Sequence, residues 1–451
     1  MENDVEETEE KTNSVPKTLP IVYLFAILGG FAGLLYGYDS GAISLALPPM
    51  TNDFGLNAST KGLIVSLLLF GALPSIVVFT ALERKIERRN VLIIGGVIFI
   101  VGSLLTAFAN SVMYILIGRF VLGIAAGIAN MYGLIYLSEL APKHIRGMMS
   151  SLYQLSVNVG ILGAYLIGAY NMPNGVWRWT IGLGVVPALI FAVGMILSPQ
   201  SPRWLVRDGQ YDKAKKVLRR VRSTDKEVET EFNDIKSSLN TQDAGLRELL
   251  GKFKPVIIML EVLTFIQVFT GINAAVYYAP EIFKSLGLAN AMVVADIGVG
   301  LALVIPVAIA LPLIDRIGRK KLLEFSLAAQ VLPSIGLCIW SDNAVIAVTC
   351  IIIYCAAFSI GLGPVFWTYV PEILPLKARG LGVGLITFSQ YLMNAIFSWL
   401  FPIILEAIGI NIFYFFAALS LWAVWYIHRN VYETKGKSLE SIENYWETRK
   451  A

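Results

Sequence analysis

The sequence predicts an all-α membrane protein, with twelve transmembrane helices in two pseudo-repeated six-helix bundles. Three observations predict it. Apolar residues make up 56% of the 451 positions and charged residues only 15%, against about 25% in soluble domains. The apolar residues fall into twelve runs near the length of about 20 residues that crosses a bilayer, and none alternates as a barrel strand does. A charged motif also occurs twice. In "YLSELAPKHIRG" (136–147) and "YVPEILPLKARG" (369–380), a Tyr, Glu, Pro, Arg and Gly recur 233 positions apart.

The runs cover 21–47, 62–82, 91–110, 112–137, 148–170 and 177–198, then 254–280, 290–314, 322–341, 344–370, 380–405 and 410–428. Residues 1–20 form a tail beginning "MENDVEETEE". It lacks the basic start of a secretory signal, so the first helix is expected to be retained. Residues 21–198 make the first bundle and 254–428 the second, with a second tail at 429–451. Between the bundles, residues 199–253 form a polar linker in which "DGQYDKAKKVLRRV" and "KEVETEFNDIKSSL" read as short amphipathic helices, charged on most faces. Two related membrane halves joined this way work by moving against each other around a site between them.

Charge placement orients the bundles. Of the 36 Lys and Arg, 32 lie in the tails or in the loops after even-numbered helices, leaving Lys61, Arg119, Arg178 and Lys284. The positive-inside rule then makes both termini and the linker cytosolic in a multi-pass plasma-membrane protein. The net charge of +4 is a topology signal rather than a nucleic-acid footprint.

Each repeated motif sits at the cytosolic end of a helix, with Pro142 or Pro375 breaking the helix between its Glu and its Arg. Glu139 and Arg146, like Glu372 and Arg379, are spaced to bond other helices. A second pair of stretches, "RKIERR" (84–89) and "DRIGRK" (315–320), repeats at nearly the same offset. The charged clusters, one from each half, are expected to latch that side shut. Plain positive-inside anchoring would explain the cations but not the repeated Glu.

Two charges lie deep in apolar runs: Asp39 in "LLYGYDSGAIS" and Arg119 in "ILIGRFVLGIAAG". Each costs about 2.5–3.5 kcal/mol at the bilayer centre unless paired, and counting residues puts them at similar depth. They make either a structural ion pair or a proton site. Gly29, Gly33, Gly37 and Gly41 form a stripe on the first helix where another helix can approach closely. Asp296, near the outer end of helix 8, is expected to snorkel or to face an outer vestibule. Amides gather on three helices as Gln154 and Asn158, Gln267 and Asn273, and Gln390 and Asn394. Amides both donate and accept, which suits a polyhydroxyl ligand, while Trp367, Phe366, Tyr277, Tyr278 and Tyr391 offer ring faces. Interhelical hydrogen bonding is the plainer alternative for each amide.

Other chemistry lacks its residues. No G-x-x-x-x-G-K-[ST] loop is present for ATP, and His144 and His428 stand at helix ends without a nucleophile or ligand set around them. Cys338, Cys350 and Cys355 lie in apolar runs without metal or disulfide spacing. Neither an enzyme nor a cofactor is expected.

"GYDSGAIS" (37–44), "SPRWL" (201–205), "GINAAVYYAP" (271–280), "DRIGRK", "GLGPVFWTYVPEILPLKARG" (361–380) and "ETKG" (433–436) together resemble the sugar porter family of the major facilitator superfamily. That family holds proton-coupled bacterial xylose and glucose symporters and human facilitative glucose transporters. The resemblance implies the major facilitator fold and a monosaccharide (hexose or pentose) imported with a proton by alternating access. It implies sugar binding by Gln154, Gln267, Asn273, Trp367 and Gln390, beside Tyr391, and proton coupling by Asp39 with Arg119. It also implies a cytosolic charge network of Arg88, Glu139, Arg146, Asp315, Arg319, Glu372 and Arg379. Facilitators carry Asn in place of Asp39. A facilitative uniporter and a non-transporting sugar receptor remain the alternatives. The chain departs from the family at Val268, Leu303 and Ser359, where hydrogen-bonding side chains are usual. It also departs at Glu87 for Gly, Gln200 for Glu and Tyr432 for Pro, which is expected to weaken the latch on one side.

Overall fold

The computed structural model describes residues 19–82, 85–142, 146–171, 177–238, 246–251, 253–285, 292–375, 379–437 and 445–446. Its first half holds α1 (Pro20–Phe54), α2 (Ala58–Leu82), α3 (Arg88–Ala107), α4 (Val112–Leu140), α5 (Arg146–Asn171), and a sixth span made of α6 (Trp177–Gly182) and α7 (Val185–Leu197). Four short helices follow: α8 (Pro202–Arg207), α9 (Tyr211–Val221), α10 (Asp225–Ser238) and α11 (Leu246–Gly251).

The second half opens with a broken span, α12 (Lys254–Phe269), α13 (Ile272–Tyr277) and α14 (Ala279–Ser285). It continues with α15 (Met292–Ile317), α16 (Arg319–Ile339), a second broken span of α17 (Ala344–Ile360) and α18 (Leu362–Ile373), then α19 (Arg379–Ile408) and α20 (Ile412–Asn430). A three-residue 3₁₀ turn at Gly409–Asn411 separates α19 from α20. Twelve spans result, and α1 runs seven residues past the expected end of the first run, through Pro48 and Pro49 to Phe54.

Both breaks have a glycine at the joint. Gly271 has φ +91°, and an added Cβ there would lie 2.4 Å from the Phe416 ring, so only glycine serves. At Gly361 a Cβ would meet the Leu322 carbonyl oxygen of α16 at 2.3 Å. Ser326 mends that break, its Oγ donating to Ala357 O at 2.7 Å and accepting from Leu362 N at 3.0 Å. The freed backbone groups are thus satisfied inside the bundle, as a membrane requires.

The α1 glycine stripe faces chiefly α5. An added Cβ would lie 2.7 Å from Tyr153 O at Gly33 and 1.8 Å from Val157 O at Gly37, while Gly29 alone meets Leu137 of α4. The linker is more than a charged spacer. Leu205, Leu218, Val228, Phe232 and Ile235 bury a small core among α8, α9 and α10. The face of the bundle that carries this linker is called the linker face below, and the opposite one the far face.

Candidate transport site

Asp39 and Arg119 meet. Arg119 Nη1 donates to Asp39 Oδ1 at 2.6 Å and to Oδ2 at 2.7 Å, and Arg119 Nε donates to Ile64 O of α2 at 3.0 Å. Exposure is 5% for Asp39 and 2% for Arg119. A charge-assisted pair so dry persists because each partner answers the other's desolvation.

One turn before Asp39, Tyr36 OH shares a 3.0 Å hydrogen bond with Tyr277 OH of α13, in the other half. Ser40 Oγ donates back to Tyr36 O at 2.8 Å. Further bonds join the halves: Lys61 to Glu281 at 3.3 Å, Tyr165 OH to Val276 O at 3.0 Å, Asn158 Nδ2 to Leu303 O at 2.8 Å and Asn130 Nδ2 to Tyr391 OH at 2.6 Å. By their positions along the helices, Tyr36–Tyr277 and Asn158–Leu303 lie near mid-depth, Lys61–Glu281 and Tyr165–Val276 towards the far face, and Asn130–Tyr391 slightly on the linker side of mid-depth.

The expected sugar-site residues occupy four spans (α5, α12 with α13, α18 and α19) around the seam between halves. Gln390 Nε2 donates to Gln267 Oε1 at 3.3 Å, and both side chains are buried. Tyr391 is buried against Tyr36, with ring centroids 6.4 Å apart. Trp367 is half-buried and stacks edge-on with Phe366 at 5.2 Å. Gln154 is half-buried, one turn from Asn158 on the α5 face that reaches the second half. Asn273 Nδ2 is buried without a hydrogen-bond acceptor among the described residues. Asp296 departs from expectation. It neither snorkels nor lines an open vestibule but is 1% exposed, with neither oxygen hydrogen-bonded among the described residues.

The repeated motifs organise the linker face, and each stays within its own half. Glu139 Oε2 accepts from Ser201 Oγ and lies 3.3 Å from Arg88 Nε. Glu372 accepts from Thr434 Oγ1 at 2.8 Å and from Arg319 Nη2 at 2.7 Å. Tyr136 OH donates to Pro199 O at 2.7 Å and Tyr369 OH to Tyr432 O at 2.9 Å. All these partners, Pro199/Tyr432 and Ser201/Thr434, recur at the same spacing of 233. The motif therefore ties the segment after each sixth span to the fourth and third. Arg379 Nη2 donates to the nearby Leu374 O at 3.4 Å. The side chains of Arg146 and Asp315 lie outside the described residues. Among the described residues, which leave out the side chains of Arg146 and Asp315, no charge pair is seen between the halves at the linker face.

Ser201 and Thr434 are not among the expected network residues, yet the sequence carries a signal for them, since "SPRWL" and "ETKG" align at the repeat spacing.

The departures at Glu87 and Gln200 prove to be linked. In the second half Glu433 caps α16, accepting from Arg319 N at 3.0 Å and Lys320 N at 3.1 Å. Gly318 (φ +104°) makes room for it, since a Cβ there would lie 2.6 Å from Glu433 Oε2. In the first half the glycine's counterpart is Glu87 and the tail carboxylate's counterpart is Gln200. Glu87 caps α3 itself, accepting from Arg89 N at 3.1 Å, Asn90 N at 2.9 Å and Ser201 N at 3.3 Å. The capping carboxylate thus comes from beside the helix itself in the first half and from the segment after the sixth span in the second, and it meets the same helix end in both.

Loss of such a cap costs about 0.5–2 kcal/mol. Glu87→Gly should therefore lower the apparent melting temperature of purified protein. Adding Gln200→Glu should restore it by recreating the second half's arrangement. A double variant no more stable than Glu87→Gly would refute the exchange.

A profile of the Sugar (and other) transporter family matches residues 24–446. This chain belongs to that family. The putative metabolite transport protein YwtG of Bacillus subtilis is 39% identical over 432 residues, covering 94% of each chain. The galactose-proton symporter of Escherichia coli is 35% identical over 435 residues, again with 94% of each covered. In three dimensions the transporter superimposes on the inward-open xylose transporter XylE from E. coli with a TM-score of 0.81 at 27% identity, covering 94% of this chain and 100% of that one. The matching solved structures place it in the twelve-span, two-bundle major facilitator architecture, a multi-pass protein of the plasma membrane.

Proposed function

We propose that this transporter brings a monosaccharide into the cell with a proton by alternating access. The observation that carries the reading is the buried Asp39–Arg119 pair on the helix whose Tyr36 bonds the other half. Protonating Asp39 removes its attraction for Arg119, which frees α1 to break the Tyr36–Tyr277 contact and open the far face. Gln154, Gln267, Asn273, Gln390, Trp367 and Tyr391 clasp the sugar between halves spanning 21–198 and 254–428. The similarity to a galactose-proton symporter and to a xylose transporter supports both sugar and proton. Arg88, Glu139, Arg146, Asp315, Arg319, Glu372 and Arg379 bias the linker face towards closure when the halves rock back.

Sugar added outside proteoliposomes should acidify their interior. Sugar entry without proton movement would leave the pair a structural one, and a facilitator would be the better reading. The tightness of the pair, with three hydrogen bonds on Arg119, is what favours that second reading.

Both termini and the linker face the cytosol in this scheme, because the basic loops lie there. Single cysteines at Asn57 and Lys226 of a cysteine-free variant should label from outside and from inside respectively. The reverse pattern would overturn the topology.

A further inference from the structure

At the linker face, α1 and α7 touch where an added Cβ on Gly194 would lie 2.6 Å from Leu28 Cδ2. Beside that contact they leave a groove of about 640 Å³. Its walls are apolar and open to the bilayer, with Leu24 52% and Val193 53% exposed. The one charged residue among the described lining is Arg220 of α9, whose guanidinium stands 5.9 Å from the Phe25 ring centroid.

The cations of this linker segment are sorted. Lys215 pairs with Glu229, Arg219 with Asp225 and Arg222 with Glu231. Lys213, Lys216 and Arg220 have no carboxylate within ion-pair distance among the described residues. Their i, i+3, i+7 spacing puts them on one helical face. An apolar slot in contact with lipid, with Arg220 at its mouth and Lys213 and Lys216 on the same helical face, has the chemistry of a phospholipid.

We propose that this groove binds an anionic phospholipid, an acyl chain lying between α1 and α7 and the phosphate held by Arg220 and Lys216. The lipid joins the helix carrying Asp39 to the linker helix α9. A zwitterionic lipid would place its own ammonium among these cations and bind less well.

Binding of phosphatidylglycerol carrying a fluorescent acyl chain to the intact purified protein tests the site, with labelled phosphatidylcholine for comparison. Phosphatidylglycerol should bind at least tenfold more tightly. Each cation contributes roughly fivefold, so Lys216→Gln with Arg220→Gln should weaken binding about 25-fold, to near the phosphatidylcholine level. Val193→Trp, which fills the slot without altering charge, should also weaken it. Lys215→Gln, which removes an equal charge already paired to Glu229, should not. Equal affinity for the two lipids would overturn the proposal, as would retention of binding by the double variant. Competition by glycerol phosphate as strong as by intact lipid would reassign the cations to a soluble phosphate and equally overturn it.

Discussion

Asp39→Asn protein should bind sugar and exchange it across a membrane, yet fail to accumulate it against a gradient. Asn keeps the size of the side chain and an acceptor for Arg119 Nη1, and Arg119 Nε keeps Ile64 O. What disappears is the group proposed above to take up and release the proton. Coupling requires only that sugar bind better to the arrangement protonation favours, so the sugar need not touch Asp39. With coupling intact, each 100 mV of membrane potential adds about 2.3 kcal/mol per proton, roughly a 50-fold sugar ratio. The variant's ratio should fall to one, with counterflow of labelled sugar preserved. Accumulation by the variant equal to that of the parent would remove Asp39 from the mechanism. Loss of exchange as well would mean that a neutral partner cannot hold Arg119 in the buried pair.

The second large effect is expected at Asn273. A buried donor without an acceptor costs about 1–3 kcal/mol, and Asn273 Nδ2 is such a donor among the described residues. A sugar hydroxyl facing it would restore the missing bond. Asn273→Ala should thus weaken sugar binding by about 1–3 kcal/mol, roughly 5- to 150-fold. The sugar-free protein should melt no earlier than the parent, because a penalty has been removed. Gln154→Ala should weaken binding by a similar factor, while Asn110→Ala, in the exposed turn between α3 and α4, should leave it unchanged. Titration calorimetry and melting curves on the same samples separate the two effects. Full affinity in both pocket variants would move the sugar site elsewhere.

Much of this was legible in sequence because membrane burial makes charges conspicuous. Asp39 and Arg119 stood out in apolar runs, and simple residue counting matched their depths. Contacts that depend on helix rotation were less legible. The α1 glycines announce a close neighbour without naming it, and α5 rather than α4 fills most of the stripe. Asp296 looked solvated because it lies near a helix end, whereas the surrounding helices bury it. The break at Gly271 hides in an unbroken apolar run, since hydropathy does not register a positive φ. The linker core was obscured by charge, because Leu205, Leu218, Val228, Phe232 and Ile235 converge only after α8, α9 and α10 fold together.

The confinement of each polar cluster to its own half bears on how the chain is made. When Lys254 begins the second bundle, Arg88, Glu139 and Ser201 have all been synthesised, so the first bundle can neutralise its buried carboxylate while the ribosome is still translating the second. The second bundle has no such head start. Glu372 has Arg319 as soon as its own span is made, but its bond from Thr434 and the Glu433 cap on α16 wait for a segment synthesised after every span. Assembly is therefore asymmetric in time although the halves are alike in form. The first has all its partners before the second begins, and the second is completed by a late segment that pins its third and fourth spans together.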